Sequence, residues 1–559
     1  MIGRTLLTAF VIAAVSMITT TAEANPPAGT IDSLLASWNR EDAPGVAVLV
    51  QHHGRDVYKH CYGSASLEHA LPITPETVFD LASVSKHLTA FSVLLLEKSG
   101  QIRLDDDIRR YLPELPDFCT QVKVSDLLYQ SSGLWEFWSI LNQYSGFEAR
   151  DYFSTDDVLR LISHQKEPTF PPGTKYSYSN TNYALLSVIV ARVTGESFGD
   201  WTSANVFGPL GMTATHFQED CTEIIPLVAS AYERRGGMMH SARPMNVDIP
   251  GSAHAFTNLN DMSRWLDNFR TRKLGGEEVF SRMFTGGVLR NGDTIDYTAG
   301  LMAGEFRGVR VLQHSGQTGG YKTMIVYCPD EELGVVVMAN ERSISAYRLS
   351  HDILGLFVPE VEDEEREGAI AQISRTTPIR LDQQALERFA GGYLLDPDSQ
   401  LAGIYCDADL LVMSLKGGRK DYFFPISETE FEAYTGPLAV AFEVDAEGNV
   451  LSARVTVDGV VNTAIRIEDD RKAARTPDDK AGEYCSEALA SVCEILVRDG
   501  QVLLSHRRYG EIPLHWVASD QFVGSWGFLE FTRSDEGTVD GFELTDELLG
   551  STPVRFARL

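Results

Sequence analysis

The stretch Thr77-Val78-Phe79-Asp80-Leu81-Ala82-Ser83-Val84-Ser85-Lys86 decides how the rest of this chain is read. Beyond it the apolar residues Leu88, Phe91 and Leu95 fall at helical spacing, and the run stops at Gly100. A helix over 83–99 is therefore predicted, with Ser83 at its N-terminus. Lys86 lies one turn further on the same face, because residues three apart are neighbours on a helix. A serine in the positive field of a helix start, with an amine in reach of its proton, has the arrangement of an activated nucleophile. A second S-x-x-K, Ser163-His164-Gln165-Lys166, ends a polar helical stretch and is followed by Pro168 and Phe170-Pro171-Pro172-Gly173. It reads as a solvated helix end.

Two further motifs follow in order. Tyr178-Ser179-Asn180 comes after the Pro-Pro-Gly turn, which places Tyr178 on a loop. His314-Ser315-Gly316 comes after Val309-Arg310-Val311-Leu312 and before Gly319-Gly320-Tyr321. That places His314 at a strand edge, where glycine lets another backbone approach closely. The three motifs together resemble those of the penicillin-recognising serine hydrolases: class C β-lactamases, serine D,D-peptidases, related esterases and D-aminopeptidases. The resemblance covers roughly residues 30–357 and takes in Pro44-Gly45-Val46-Ala47-Val48-Leu49-Val50, Gln130-Ser131-Ser132-Gly133-Leu134, Pro209-Leu210-Gly211-Met212 and Asn260-Asp261-Met262-Ser263-Arg264-Trp265.

The resemblance implies an α+β catalytic domain: an antiparallel sheet packed by helices, plus an all-helical part, with the active site between them. Strands are predicted over Gly45–Gln51, Asp56–Tyr62, Val309–Gln313, Thr323–Tyr327 and Gly334–Met338, with helices also at 155–164, 181–194 and 258–271. It also implies residue roles. Ser83 is the nucleophile, Lys86 its proton acceptor or relay, and Tyr178 the proton donor to the leaving group. Asn180 orients substrate and Lys86. Ser315, Gly316 and Gln317 contact substrate, and the backbone N–H groups of Ser83 and Gln317 form the oxyanion hole. The chemistry needs no cofactor or metal. His314 stands where β-lactamases and D,D-peptidases carry the lysine of K-T-G. Histidine has an unperturbed pKa near 6.5, so its hold on a substrate carboxylate is weak and pH-dependent. Poor β-lactam hydrolysis is expected, with amides or esters as the better substrates.

The tail has a different character. Glu360–Glu367 is a charge run after Pro359, read as a linker or an exposed helix start. Beyond it come short alternating strands with turn signals, and the pattern repeats. Ala390-Gly391-Gly392-Tyr393 returns as Ala481-Gly482-Glu483-Tyr484, Pro425-Ile426 as Pro513-Leu514, and Glu447-Gly448-Asn449-Val450 as Glu536-Gly537-Thr538-Val539. Each copy has room for a small β-barrel of about eight short strands. A hydrolase followed by two barrels resembles the bacterial D-aminopeptidases, as do Gln130–Trp138 and Ala481–Arg507 locally. In that family a loop of the last barrel reaches over the active site. The corresponding turn here, Phe522-Val523-Gly524-Ser525-Trp526, is short, which implies a more open site.

The N-terminus reads as a cleavable leader, with Arg4, an apolar run over Leu6–Ile18 and the cleavage site Ala22-Glu23-Ala24. The expected division is leader 1–24, serine hydrolase domain 25–358, acidic linker 359–378, and barrels 379–475 and 476–559. A periplasmic or secreted location follows. The formal net charge of −30 argues against nucleic acid and anionic membrane surfaces as partners, and no later run is long enough to span a membrane. Cys485 and Cys493 flank a turn and could bridge a hairpin. The expected activity is cleavage of a small peptide or amide, D-aminopeptidase-like, through an acyl-enzyme on Ser83. A carboxylesterase, a β-lactamase and a non-catalytic module binding peptidoglycan or another ligand are the alternatives.

Overall fold

The computed structural model of the chain describes residues 28–145, 151–235, 238–242, 246–358, 379, 381–396, 400–407, 410–416, 420–433, 438–457, 460–467, 477–498, 500–546, 548–549 and 552–559. The leader read at 1–24 and the acidic stretch at 359–378 lie outside them.

The catalytic part is built on a six-stranded antiparallel sheet. Its strands are β1 (Val46–His52), β2 (Arg55–Tyr62), β3 (Met302–Phe306), β4 (Val309–Thr318), β5 (Tyr321–Cys328) and β6 (Leu333–Ala339), in the order β3-β4-β5-β6-β1-β2. β1 explains the layering. Val46, Val48 and Val50 join Ile31, Leu35, Leu349 and Ile353 in one core, while Ala47 and Leu49 join Leu88, Phe91 and Trp265 in the other. Alternate residues of a strand point to opposite faces, so a continuous apolar run is buried on both sides. The five predicted strands are present. β3 was not expected; it is short and half-exposed at the sheet edge, without an alternating pattern. β4 runs on through His314-Ser315-Gly316 to Thr318, beyond the last β3 partner at Gln313.

Helices over Lys86–Lys98 (α1), Phe137–Gln143 (α2), Thr155–Ser163 (α3), Asn180–Thr194 (α4) and Leu259–Thr271 (α5) pack on the sheet or form the helical part. The helix expected from residue 83 begins differently. Ala82–Ser85 is a 3₁₀ turn, and the α-helix starts at Lys86. Side chains three apart eclipse in a 3₁₀ turn, which brings Ser83 and Lys86 together more closely than an α-helix would.

The tail forms two closed eight-stranded barrels, one from Gly391 to Arg466 and one from Gly482 to Arg558. The sequence repeat is also a repeat of contacts. Tyr393 Oη donates to the Phe389 carbonyl at 2.8 Å, and Tyr484 Oη to the Lys480 carbonyl at 2.6 Å. Arg466 and Arg558 each donate from the last strand to the carbonyl before the first, Ala390 and Ala481 respectively. The expected Cys485–Cys493 bridge is not formed, and all seven cysteines are free thiols. Cys493 stands opposite Tyr484 while Cys485 stands opposite Val492, so the two sulfurs point to opposite faces of the hairpin.

β4 and the turn carrying Ser83 meet at Gly316. A Cβ there would collide with the Leu81 carbonyl oxygen and the Thr323 hydroxyl. Gly316→Ala should therefore displace the turn and lower kcat/KM about 100-fold, the usual effect of moving a reacting group by about 1 Å. Circular dichroism should be unchanged; wild-type turnover by a folded Gly316→Ala protein would contradict this packing.

Candidate active site

Ser83 is aimed by the residues around its turn. Ala82, just before it, has φ +50, a left-handed conformation that costs a non-glycine residue energy and persists only where the surroundings enforce it. Asp80 enforces it here. One carboxylate oxygen accepts from Ala82 N–H at 2.7 Å, and the other lies 2.9 Å from His254 Nδ1. Thr323 Oγ1 donates to the Leu81 carbonyl at 2.6 Å, and Ala255 N–H donates to Ser85 Oγ at 3.0 Å. The strained Ala82 thus sits among the anchored Asp80, Leu81 and Ser85, next to the Ser83 hydroxyl.

Lys86 is fully buried. Its Nζ lies 3.1 Å from Ser83 Oγ, 2.7 Å from Asn180 Oδ1 and 2.7 Å from the Ser252 carbonyl. It also sits 4.9 Å from the centre of the Tyr178 ring. Burial lowers its pKa from 10.5 to about 7, against an opposing pull from the Glu136 carboxylate. Tyr178 comes from the loop before α4 and hydrogen-bonds Ser83, and burial raises its pKa well above the ordinary value. At neutral pH the phenol is therefore protonated while the amine is poised to lose its proton.

The Gln130-Ser131-Ser132 motif holds the Tyr178 loop. Ser177 N–H donates to the Gln130 carbonyl at 2.8 Å, Ser179 N–H to Gln130 Oε1 at 3.0 Å, and Gly173 N–H to the Ser131 carbonyl at 2.7 Å. Asn182 Nδ2 also donates to Gln130 Oε1, at 2.6 Å. Asn180 opens α4, and its Nδ2 donates to Glu136 Oε1 at 2.8 Å while its backbone N–H lies 3.2 Å from the same atom.

His314 sits on β4 with its ring 6.0 Å from that of Tyr178. Its Nδ1 is 2.7 Å from the Ser315 carbonyl. A carbonyl only accepts, so Nδ1 carries the hydrogen and Nε2 presents a lone pair, buried and without a hydrogen-bond partner. Burial first, and the nearby Lys86 amine second, bring its pKa down to about 3. The weak, pH-dependent cation expected from sequence is thus a neutral acceptor throughout the physiological range. Ser315 and Gly316 follow on the same strand, and Gln317 accepts from Lys322 across to β5.

Ser83, Lys86, Tyr178, Asn180 and His314 are therefore brought together. The second S-x-x-K is not: Ser163 ends α3 with its hydroxyl on the Arg160 carbonyl, and Lys166 is exposed. Two contributors were not foreseen. Glu136 had a sequence signal, as an acidic residue at a helix start, and both its oxygens do cap α2 at Trp138 and Ser139. Ser252 contributes only a backbone carbonyl, which no side-chain pattern announces.

A family model described as Beta-lactamase matches residues 29–356. A D-aminopeptidase of Gluconobacter oxydans is 29% identical over 306 residues, covering 54% of this chain and 57% of the relative. The chain thus spans little more than half the length of that D-aminopeptidase. A penicillin-binding protein of Bacillus subtilis is 26% identical over 451 residues, covering 75% of this chain and 94% of the relative. The octameric penicillin-binding protein homologue from Pyrococcus abyssi shares the fold, with a TM-score of 0.54 and 21% identity over 78% of this chain and 99% of its own. With the family model spanning more than half of its length, this chain belongs to the beta-lactamase family and is a serine hydrolase.

Proposed function

We propose that this protein is an exported, D-aminopeptidase-like amidohydrolase that works through an acyl-enzyme on Ser83. The observation that carries the reading is the buried Lys86 amine 3.1 Å from Ser83 Oγ, with a pKa near neutrality. An amine that is half deprotonated at pH 7 accepts the serine proton as the hydroxyl attacks a carbonyl. Tyr178, protonated at that pH, delivers a proton to the departing amine. The Lys86 proton returns to Tyr178; water then attacks the acyl-enzyme as the neutral Lys86 takes its proton, and that proton passes to Ser83 Oγ when the acid departs. The N–H groups of Ser83 and Gln317 stabilise the tetrahedral oxyanion; one such donor is worth about 3 kcal/mol.

The charges of the site support an amide without a carboxylate next to the scissile bond. His314 is neutral and offers an acceptor, Lys86 is only partly charged at pH 7, and Glu136 is an acid. None of the three holds a permanent positive charge for a substrate carboxylate, so β-lactams are poor substrates in this reading. A small N–H-bearing leaving group can donate to His314 Nε2. Esters, whose leaving group departs more easily, are turned over as a side activity. Export is read from the leader sequence at 1–24, and among the described residues no helix is long and apolar enough to cross a membrane. The division into a hydrolase domain at 25–358 and barrels at 379–475 and 476–559 is part of the same proposal.

D-alanine p-nitroanilide against its L-isomer tests the substrate class: D-selective release of nitroaniline is expected, and equal turnover of both isomers would count against it. Ser83→Ala should abolish that turnover, while Ser163→Ala should leave kcat/KM within about twofold; comparable losses in the two would overturn the choice of nucleophile. The pH profile gives a separate check. Lys86 has its pKa lowered and is active when neutral, so kcat/KM should rise through about pH 7. His314 stays neutral above about pH 3, so it should add no second limb between about pH 5 and pH 8. A rise centred near pH 10 would contradict the buried-amine mechanism.

A further inference from the structure

The wall behind Asn180 is shared between the catalytic part and the second barrel. Trp135 is buried, and its Nε1 donates to the Leu549 carbonyl of that barrel at 3.0 Å. The next residue is Glu136, whose carboxylate holds both amide groups of Asn180 and caps α2. The far end of α2 is also held by the barrel. Gln143 Nε2 donates to the Ser525 carbonyl at 3.1 Å, Trp526 meets Tyr144 edge-on at 5.7 Å, and Arg508 donates to Asn142 Oδ1 at 2.8 Å. Ser525 and Trp526 form the short turn between the strands Gln521–Gly524 and Gly527–Arg533. It does not form a long overhang but packs down onto the end of α2.

The first barrel locks this turn. Lys420 Nζ donates to the Ser525 carbonyl at 3.0 Å and lies 2.5 Å from the Asp546 carboxylate, in a buried ion pair. A helix of only seven residues has little stability of its own. Its position is set by what grips it: at its start Trp135 N–H donates to Gln165 Oε1 and Phe137 N–H to Thr181 Oγ1 within the catalytic part, the barrel adds the Trp135 indole contact there, and at its far end the barrel holds Asn142, Gln143 and Tyr144.

We infer that the second barrel is a positioning part of the active site: by fixing Trp135 and α2 it places the Glu136 carboxylate, and through that carboxylate Asn180 and Lys86. The inference rests on the reading of Lys86 as the amine that handles the Ser83 proton. The other ionisable groups around that amine are Tyr178 from the loop before α4, Tyr183 on α4, His314 on β4 and His87 on its own helix. Set against these, Glu136 is the anion that raises the Lys86 pKa.

The test is the pH dependence of Ser83 labelling by a fluorophosphonate, which needs no knowledge of the natural substrate. In the full-length protein, Trp135→Phe removes the indole donor and keeps the apolar packing. It should slow labelling about threefold to tenfold, the effect of one lost hydrogen bond, and move the rising limb to lower pH, with little change in melting temperature. Glu136→Gln should move the limb in the same direction and further. Adding Trp135→Phe to Glu136→Gln should then produce almost no additional shift, because both act through one carboxylate. Gln143→Ala, at the other end of α2, should reproduce the Trp135→Phe shift. A slowed rate with an unmoved limb, or full additivity of the two changes, would overturn the inference and leave the barrel a purely structural support. Failure of Ser83 itself to react would overturn the acyl-enzyme reading, and the inference with it.

Discussion

An amine without access to water, beside a serine hydroxyl, is the constraint around which this protein is arranged. Taking Lys86 from water lowers its pKa from 10.5 to about 7, a penalty on the charged form of about 5 kcal/mol. In the proposed mechanism that penalty is what lets the amine act as a base at neutral pH. It also requires surroundings that keep the amine in place in both protonation states. Asn180 Oδ1, the Ser252 carbonyl and Ser83 Oγ offer three acceptors in the right directions, and Tyr178 and Tyr183 close over it with their ring faces. The strained backbone at Ala82, the collision-free Gly316 and the Asp80 carboxylate all serve the position of the hydroxyl relative to that amine.

The charge pattern distinguishes this site from one built to hold an anion. A lysine on β4 would bring a permanent cation next to Lys86 and lower its pKa further through repulsion. A histidine with its Nδ1 hydrogen engaged by Ser315 brings none. Neutral His314 therefore leaves the amine pKa near 7 and, in the proposed function, offers no cation to a substrate carboxylate. Both consequences follow from a histidine at this position, so the proposed preference of the site and the tuning of its proposed base are coupled.

Much of this was legible in the sequence because the proposed catalytic groups come from short motifs whose local structure is strongly determined. S-x-x-K before an amphipathic run, Y-S-N after a Pro-Pro-Gly turn and H-S-G at the end of an alternating run each fix a residue to a particular element. The barrels were legible because a duplication repeats its turn glycines and its corner tyrosine. What could not be read was set by contacts between distant parts. The 3₁₀ form of the Ser83 turn depends on Asp80 and Thr323. The charge state of His314 depends on burial and on a backbone carbonyl. Cys485 and Cys493 looked like partners because spacing along the chain does not reveal which face of a hairpin each side chain takes; pairing with Val492 and Tyr484 decides that. The role of Glu136 needed both Asn180 and the second barrel to be placed.

The most direct test of the account is rapid-quench mass spectrometry of the full-length protein during turnover of a D-alanine amide or ester, followed by peptide mapping. A D-alanyl group should appear on the peptide containing Ser83 and build up faster as pH rises through about 7. An adduct on another residue, or turnover with no covalent intermediate at any pH, would contradict the central claim that the buried Lys86 amine activates Ser83.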